Sequence, residues 1–427
     1  MSPTVDTMAQ QEQFFLDEFG PLLVVQPSTV AEVGDLVRQA AAEGTAIYPL
    51  GGRTMLNFGL PPTRPGVAVD MRQLNQVIDF PARDMTITVQ AGIAVGRLQE
   101  IAAAENLRLP VDVPFATRAT IAGAIATNAS GPRRFGFGTL RDYVIGISVM
   151  NDEGQETKAG GRVVKNVAGY DLCKLHVGAL GTLGIITQVT LKLKPLAEHQ
   201  TLVRLPCKKD LAALLDRLHS SRTRPVLVTV LSPRLGAALL QTGNGTSSAA
   251  NDGWLVVVGF EGGEELIDWQ VKQLEREVGD LGIPLSCDWP HGAADSAWRK
   301  LADFPLSEPA SVTFEANMLP STTTAFCEAL NACGDSVVYH AHAGNGIVEG
   351  HLEPALTLDR ARLILKPLLE LAVAAQGNIT LLRCPPAWKK DLSVWGNPRR
   401  DNWLMRTVKD KLDPNGLFNP GRFVAGI

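Results

Sequence analysis

VPFATRATIAGAIATNASGPRRFGFGTLRDYVIGISVM, residues 113–150, is the stretch on which the fold turns. Ala122, Gly123, Ala124, Ala126, Ala129 and Gly131 are dense enough to leave room for a flat, bulky ring against the backbone. Thr120, Thr127 and Asn128 add polar groups able to meet carbonyls and ring nitrogens. The plainer reading is a glycine/alanine packing seam, and the polar residues weigh against it.

Upstream, the strand AIYPL runs into PLGGRTML, residues 49–56. Consecutive glycines let backbone N–H groups converge on a diphosphate without a Cβ in the way, with Arg53 adding charge and Thr54 a hydroxyl. Alone, such a pair is more often just a turn. Downstream, KNVAGYDLCKLHVGALGTLGIITQVTLKL, residues 165–193, sets Gly178, Gly181 and Gly184 ahead of a strand. Neither GxGxxG nor GxxxxGK[ST] occurs, so the dinucleotide fold and the P-loop are both excluded. The three segments together point to a non-Rossmann site for a large phosphorylated cofactor.

At 427 residues the chain is long enough for two or three domains. Apolar residues are 45% and charged residues 20%, the balance of a globular protein, and a net charge of -4 offers no basic stripe for nucleic acid. Six cysteines without a CxxC pair provide no zinc knuckle and no cluster ligation. The polar, acidic N-terminus is unlike a signal peptide, and no apolar run reaches the ~20 residues of a membrane span. The expected location is the cytoplasm, with room for peripheral docking on a membrane through a complex.

Thr29 predicts a helix cap, Glu32 a capping box, Val30, Val33 and Val37 one face, and Gly44 the end of that helix. Strands GVAVDM, MTITVQAG, DYVIGISVMNDEG and GIITQVTLKLKP complete a first α/β unit closed by Pro195. Beyond it, alternating strands and helices predict an open sheet with helices on one face up to Pro385. The tail with Trp388, Trp395 and Trp403 is expected to pack back on the first unit, though its apolar residues also suit a partner surface.

The three segments resemble the FAD-contact segments of the vanillyl-alcohol-oxidase or PCMH-type FAD-binding family. The closing DPNGLFNPGRF is similar to the C-terminal signature of its FAD-linked oxidase branch. Within that family the likeness is greatest to the FAD-binding subunits of bacterial glycolate oxidases. The resemblance implies an α+β chain: a two-subdomain PCMH-type FAD-binding domain (22–196), a ferredoxin-like α+β cap domain (197–385), and a C-terminal segment (386–427) returning to the FAD domain. Carried over by position, it implies Leu50, Gly51, Gly52, Arg53, Thr54 and Met55 on the pyrophosphate. Thr120, Gly123, Ala124, Thr127 and Asn128 fall near the isoalloxazine, and Gly181, Thr182, Gly184, Ile185 and Ile186 along the far side. Some members bond flavin covalently through a histidine in the first loop or a cysteine in the second segment. Arg53 and Thr54 stand in the first, and residues 113–150 hold no cysteine, so the FAD is expected to be non-covalent.

Catalytic relatives resemble one another in a His-x-Gly-Asp-Gly-Asn-x-His stretch and a later Glu-His-Gly. Here the corresponding segment is HAGNGIVE, with Asn345 and Glu349 replacing an aspartate and a histidine. NITLLRCPPAW lacks the expected glutamate and histidine altogether. His340 and His342 alternate on a strand and, with His351, could make some metal site, but packing histidines are commoner and no metal is expected. Arg141, His342 and Glu349 remain as catalytic candidates, with Arg141 or Arg134 able to grip a carboxylate. The resemblance implies the FAD-binding subunit of a glycolate or other 2-hydroxy acid oxidase complex, D-lactate included. A catalytic flavoprotein and an iron–sulfur chain would be its partners. The alternatives are a self-sufficient dehydrogenase and a mainly structural flavoprotein.

Overall fold

A computed structural model describes residues 14–161, 170–240, 253–289, 294–307 and 309–427. The expectation placed on Lys165 to Gly169 in the third glycine-rich segment lies outside the described residues. The chain opens with β1 (Phe14–Leu16), β2 (Phe19–Val25), α1 (Val30–Glu43), β3 (Ala46–Leu50) and β4 (Gly66–Asp70), whose strands pair in the order β1-β2-β4-β3. Thr29 caps α1 by accepting from the Glu32 amide, but the Glu32 carboxylate reaches back to Ser28 N, one residue earlier than a capping box requires. Gly44, at φ 66°, closes the helix by donating to the Ala40 and Ala41 carbonyls.

The second unit contains β5 (Val77–Asp79), β6 (Thr86–Gln90), α2 (Val95–Ala103), β7 (Leu107–Arg108), α3 (Ile121–Thr127), α4 (Arg134–Phe137), α5 (Leu140–Tyr143), β8 (Val144–Met150), β9 (Glu156–Gly160), α6 (Cys173–His176) and β10 (Ile185–Lys192). Its sheet runs β5-β6-β10-β8-β9, antiparallel throughout, and β7 pairs separately with β11 (Lys194–Pro195). Ile87, Val89, Val189 and Leu191 alternate onto the face that buries Leu98 of α2 and Ile121 and Ile125 of α3. The decisive stretch is thus a short helix held edge-on against a sheet.

The third unit is one seven-stranded antiparallel sheet built from two similar halves. β12 (His199–Cys207), α7 (Leu211–His219), β13 (Leu227–Leu231), α8 (Pro233–Leu240), β14 (Trp254–Gly262) and α9 (Glu264–Gly279) come first, followed by α10 (Ala294–Ser307). β15 (Val312–Asn317), α11 (Thr323–Ala332), β16 (Val337–His342), β17 (Ile347–Leu352), α12 (Leu358–Ala374) and β18 (Asn378–Arg383) complete it, and α13 (Asn402–Leu412) follows in the tail. The order β16-β17-β15-β18 is a full ferredoxin-like βαββαβ arrangement. In the first half, β12-β14-β13 repeats three of those four strands, and the place of the fourth is marked by a single bridge from Ser286 to Arg204 on the β12 edge. The halves join through β13 and β16.

Helices on one face only is the expectation that needs correction. α7, α9, α11 and α12 share a core on one side, whereas α8 and α10 cover Leu227, Leu231, Leu255 and Val257 on the other. α10 carries Pro305 inside its span, where sequence rules read a helix end, and its position is set by tertiary packing of Trp298 and Leu301. This helix, which the sequence reading did not include, also reaches the second unit, where Asp303 accepts from the Phe115 amide.

Candidate functional site

The loop after β3 and the start of α3 touch at their closest points. A Cβ on Gly51 would lie 2.1 Å from Thr120 Oγ1, and one on Gly52 1.9 Å from the Arg118 carbonyl oxygen. Only glycine permits that approach, so the glycine pair is required by the contact of the two segments as well as by any ligand. Thr120 caps α3 through Gly123 N, and Asn128 ends it in the left-handed region at φ 51°. The glycine loop and the small residues of α3 line one groove, while the first-turn amides of α3 are taken by the Ile93 and Ala91 carbonyls and the Thr120 hydroxyl.

That groove has two stretches of about 750 and 430 Å³ with Pro49, Leu50, Gly51, Thr120, Gly123, Ala126, Leu180 and Asn419 in both walls. Arg53, Thr54, Met55, Ala124, Thr127, Val113, Pro114 and Arg422 line the first, and Met71, Gly181, Gly184, Ile185 and Ile186 the second. The walls are backbone, small side chains and aliphatic surface, the lining that a flat cofactor requires. FAD fits these residues. Asn128, expected at the ring, is absent from both walls, and its Oδ1 is buried without a hydrogen-bond partner among the described residues.

Three expected residues play a different part. Thr182 is buried with its hydroxyl on the Ala179 carbonyl and is absent from both walls, so its side chain braces the turn. The Arg53 guanidinium is paired with Asp70 at 3.2 Å, which reduces the charge it can present. Arg141 is exposed and donates to the Lys174 carbonyl, while Asp142 is spent capping Thr139, so the catalytic candidacy of Arg141 loses its geometric basis.

The C-terminal segment supplies what the three segments lack. Lys389 Nζ donates to the carbonyls of Asn57 and Gly59, and the Arg422 guanidinium to those of Leu56, Phe58 and Leu60. Five consecutive carbonyls following the glycine loop are thus turned toward two buried cations, with Asp17 2.5 Å from Lys389 as counter-ion. Burial pushes the Arg422 guanidinium down to about 10 and Lys389 below the usual lysine range, with Asp17 opposing both. Lys409 and Asn419 hold the third segment in the same manner, donating to the Thr182 and Leu180 carbonyls. Trp395 packs between Phe58 and Phe423, at 5.0 Å from each, while Trp403 stays exposed.

From the groove wall a short path leads to the cap. Phe115, next to Pro114, donates its amide to Asp303 of α10 at 2.7 Å, and the adjoining Phe304 packs on the rings of His340 and His351. The face of the cap sheet met there is polar. Register sets His340 of β16 opposite Glu349 of β17, Glu349 opposite Glu315 of β15, and His351 opposite Thr313. Their neighbours Tyr339, Ala341, Val348, Phe314 and Ala316 point the other way into the helical core.

His340 Nε2 and Glu349 Oε2 are in a short hydrogen bond, and His342 Nε2 lies 3.7 Å from the same oxygen. Burial favours a neutral Glu349, yet attraction to His340 and its hydrogen bond, with His342 next to them, hold its carboxyl below the ordinary range. Burial also lowers His342 and His351 to about 4, leaving both neutral near pH 7. His351 donates from Nε2 to the Phe304 carbonyl, which can only accept, so its Nδ1 accepts from Thr313. Glu315 is pushed up to about 7 by burial and by Glu349, with Arg134 opposing. The motif alignment did not single out Glu315, although a lone carboxylate in the apolar run SVTFEANML was a visible signal.

His340, His342 and Glu349 bring three donor atoms within 4.8 Å of one another, a set of the kind that suits zinc or iron. The relatives' metal motif does not fit as such. Asn345 and Glu349 replace two of its members, and β18 with the residues after it, NITLLRCPPAW, offers neither a glutamate nor a histidine.

Comparison with known families places an FAD binding domain at residues 21–160 and the C-terminal domain of FAD linked oxidases at 389–423. These two matches set the chain alongside the FAD-linked oxidases that its sequence resembles. FAD is the cofactor of this chain, which is an FAD-dependent oxidoreductase. It is 28% identical to D-2-hydroxyglutarate dehydrogenase of Xanthomonas citri pv. viticola, over 94% of this chain and 89% of that protein. It is 26% identical to glycolate oxidase subunit GlcD of Bacillus subtilis, over 95% and 89% respectively. Substrate-bound p-cresol methylhydroxylase superposes with a TM-score of 0.71 at 18% identity, covering 93% of this chain and 88% of that one, a likeness of fold. Among the described residues no helix is long and apolar enough to cross a membrane.

Proposed function

We propose that this chain oxidises small 2-hydroxy acids such as glycolate or D-lactate, with FAD held non-covalently along the groove. It works as the FAD-binding subunit of a complex with a catalytic flavoprotein and an iron–sulfur chain. The observation that carries the substrate class is the row of buried Glu349, His340 and His342 with half-buried Glu315 beside them on the cap face, next to the groove wall at Phe115 and α10. Relatives named for 2-hydroxy acids, matched over nearly the whole chain, support the same reading. Leu50 to Met55 would hold the pyrophosphate, Thr120, Gly123, Ala124, Thr127 and Asn128 the ring, and Gly181, Gly184, Ile185 and Ile186 the remainder.

Bound FAD supplies the two-electron redox chemistry. The chain's own residues orient the acid and handle its hydroxyl proton. Neutral His342 has no hydrogen-bond partner at Nδ1 or Nε2 and can accept a hydrogen there, while Glu349 stabilises the positive charge that results. Phe304 and Phe135 exclude water from the row. Residues 113–150 hold no cysteine, and burial raises the Cys173 and Cys384 thiols to about 11, which favours non-covalent flavin.

A second reading, a self-sufficient dehydrogenase, is favoured by the enclosure of that row within a single chain. An anaerobic visible spectrum separates the two. Yellow absorbance released by acid is expected, and bleaching by glycolate or D-lactate only when the partner chains are added. Bleaching of the isolated chain would favour the second reading, and no bleaching under either condition would overturn both.

A further inference from the structure

Arg133 and Arg134 are neighbours with opposite fates. Arg133 is fully engaged: it pairs with Asp112 and Glu261, donates to Gln200, and stacks 3.9 Å over Trp298. The Arg134 guanidinium makes no ion pair or hydrogen bond among the described residues, although the residue is only half exposed. It sits on α4, whose Phe135 ring lies directly on Gly344: a Cβ there would come within 2.1 Å of it. α4 is therefore packed against the turn Ala343–Asn345 that joins β16 to β17. The Arg134 charge is felt at Glu315 and His342.

The same spot collects unsatisfied polar atoms. His340 Nδ1, His342 Nδ1 and Nε2, and Asn345 Oδ1 are all buried without hydrogen-bond partners. Native interiors leave few such groups, and several in one place mark where a ligand completes the bonding. The ligand must bring an anion for an unneutralised guanidinium and hydrogen-bonding groups for imidazole and amide. A carboxylate bearing a hydroxyl on the adjacent carbon has that combination, and a planar guanidinium binds carboxylate through two parallel N–H bonds.

We propose that Arg134 is the receptor for the substrate carboxylate, gripping it from α4 while the hydroxyl end faces His342 on the cap. The assignment rests on the 2-hydroxy-acid reading above, and it makes Arg134 the residue that separates acids from neutral alcohols. Glu315 is the group whose negative charge would compete for Arg134.

The test titrates the full FAD-loaded chain with oxalate, glycolate and glycolamide, by calorimetry and by perturbation of the flavin spectrum. Wild type should bind the two acids and discriminate strongly against the neutral amide. R134M should weaken oxalate and glycolate on the order of 100-fold and erase the discrimination, at unchanged FAD content. R134K, which keeps the charge and loses the fork, should fall between the two and serves as the decisive variant if R134M loses its flavin. Acid binding by R134M within twofold of wild type, or full retention of the acid-over-amide preference, overturns the assignment alone. A wild-type chain that binds neither acid, alone or with its partner chains, removes the 2-hydroxy-acid reading together with it.

Discussion

The flavin groove and the polar face of the cap are built by opposite means. The groove is backbone and small side chains, and its cations, Lys389 and Arg422, are turned away from a ligand toward loop carbonyls. The cap face is made of long titratable side chains whose charges are paired or suppressed by burial. A large cofactor is held by shape and many weak amide contacts, whereas a small acid needs a few strong groups at fixed positions. Damage to the first region should therefore appear as lost flavin and lost stability, and damage to the second as altered proton and anion handling.

The largest effect is expected from R422M. Removing Arg422 leaves the Leu56, Phe58 and Leu60 carbonyls without their donor, while Asp17 keeps Lys389, at a cost of about 3–5 kcal/mol. Apoprotein reconstitution should show severe loss of FAD affinity along with a lower melting temperature. Near wild-type flavin affinity would mean that the groove does not depend on the tail.

E315Q sharpens the cap side. The Glu315 carboxyl, raised to about 7 in the folded chain, binds more protons than an unfolded glutamate from about pH 4.5 to 7, so its contribution to stability is lost as pH rises through that window. His342 and His351, lowered to about 4, contribute stability that is present above about 6.5 and lost as pH falls through 4. The melting temperature of E315Q relative to wild type should climb between pH 4.5 and 7, by an amount equivalent to at most about 3 kcal/mol. A pH-independent difference would show that Glu315 ionises freely.

R141A is expected to do least. Its exposed guanidinium reaches only a backbone carbonyl, so stability should change by no more than about 0.5 kcal/mol, with flavin content and acid binding unaltered. A marked loss of acid binding would return Arg141 to the site.

Much of the groove was legible in advance because its signals are local. A Gly-Gly after a strand, a threonine three residues before a glycine in a helix, and an asparagine at its left-handed end are each read within one turn of chain. Arg141 misled because a charged residue beside a flavin segment says nothing about which way its helix faces. Glu315 went unremarked because its partner Glu349 is on another strand, and α10 because Pro305 breaks the pattern that marks a helix.

The amino-acid sequence by itself determined the cofactor and the three segments that shape its groove, since glycine and capping rules act over a few residues. Only the tertiary structure decided that Asp17, Lys389 and Arg422 meet across more than 300 positions and that Arg133 is consumed while Arg134 is not. It also decided that two histidines and two carboxylates share one row on the cap sheet. Those choices depend on strand register and on which surfaces are buried together, and no local period records either.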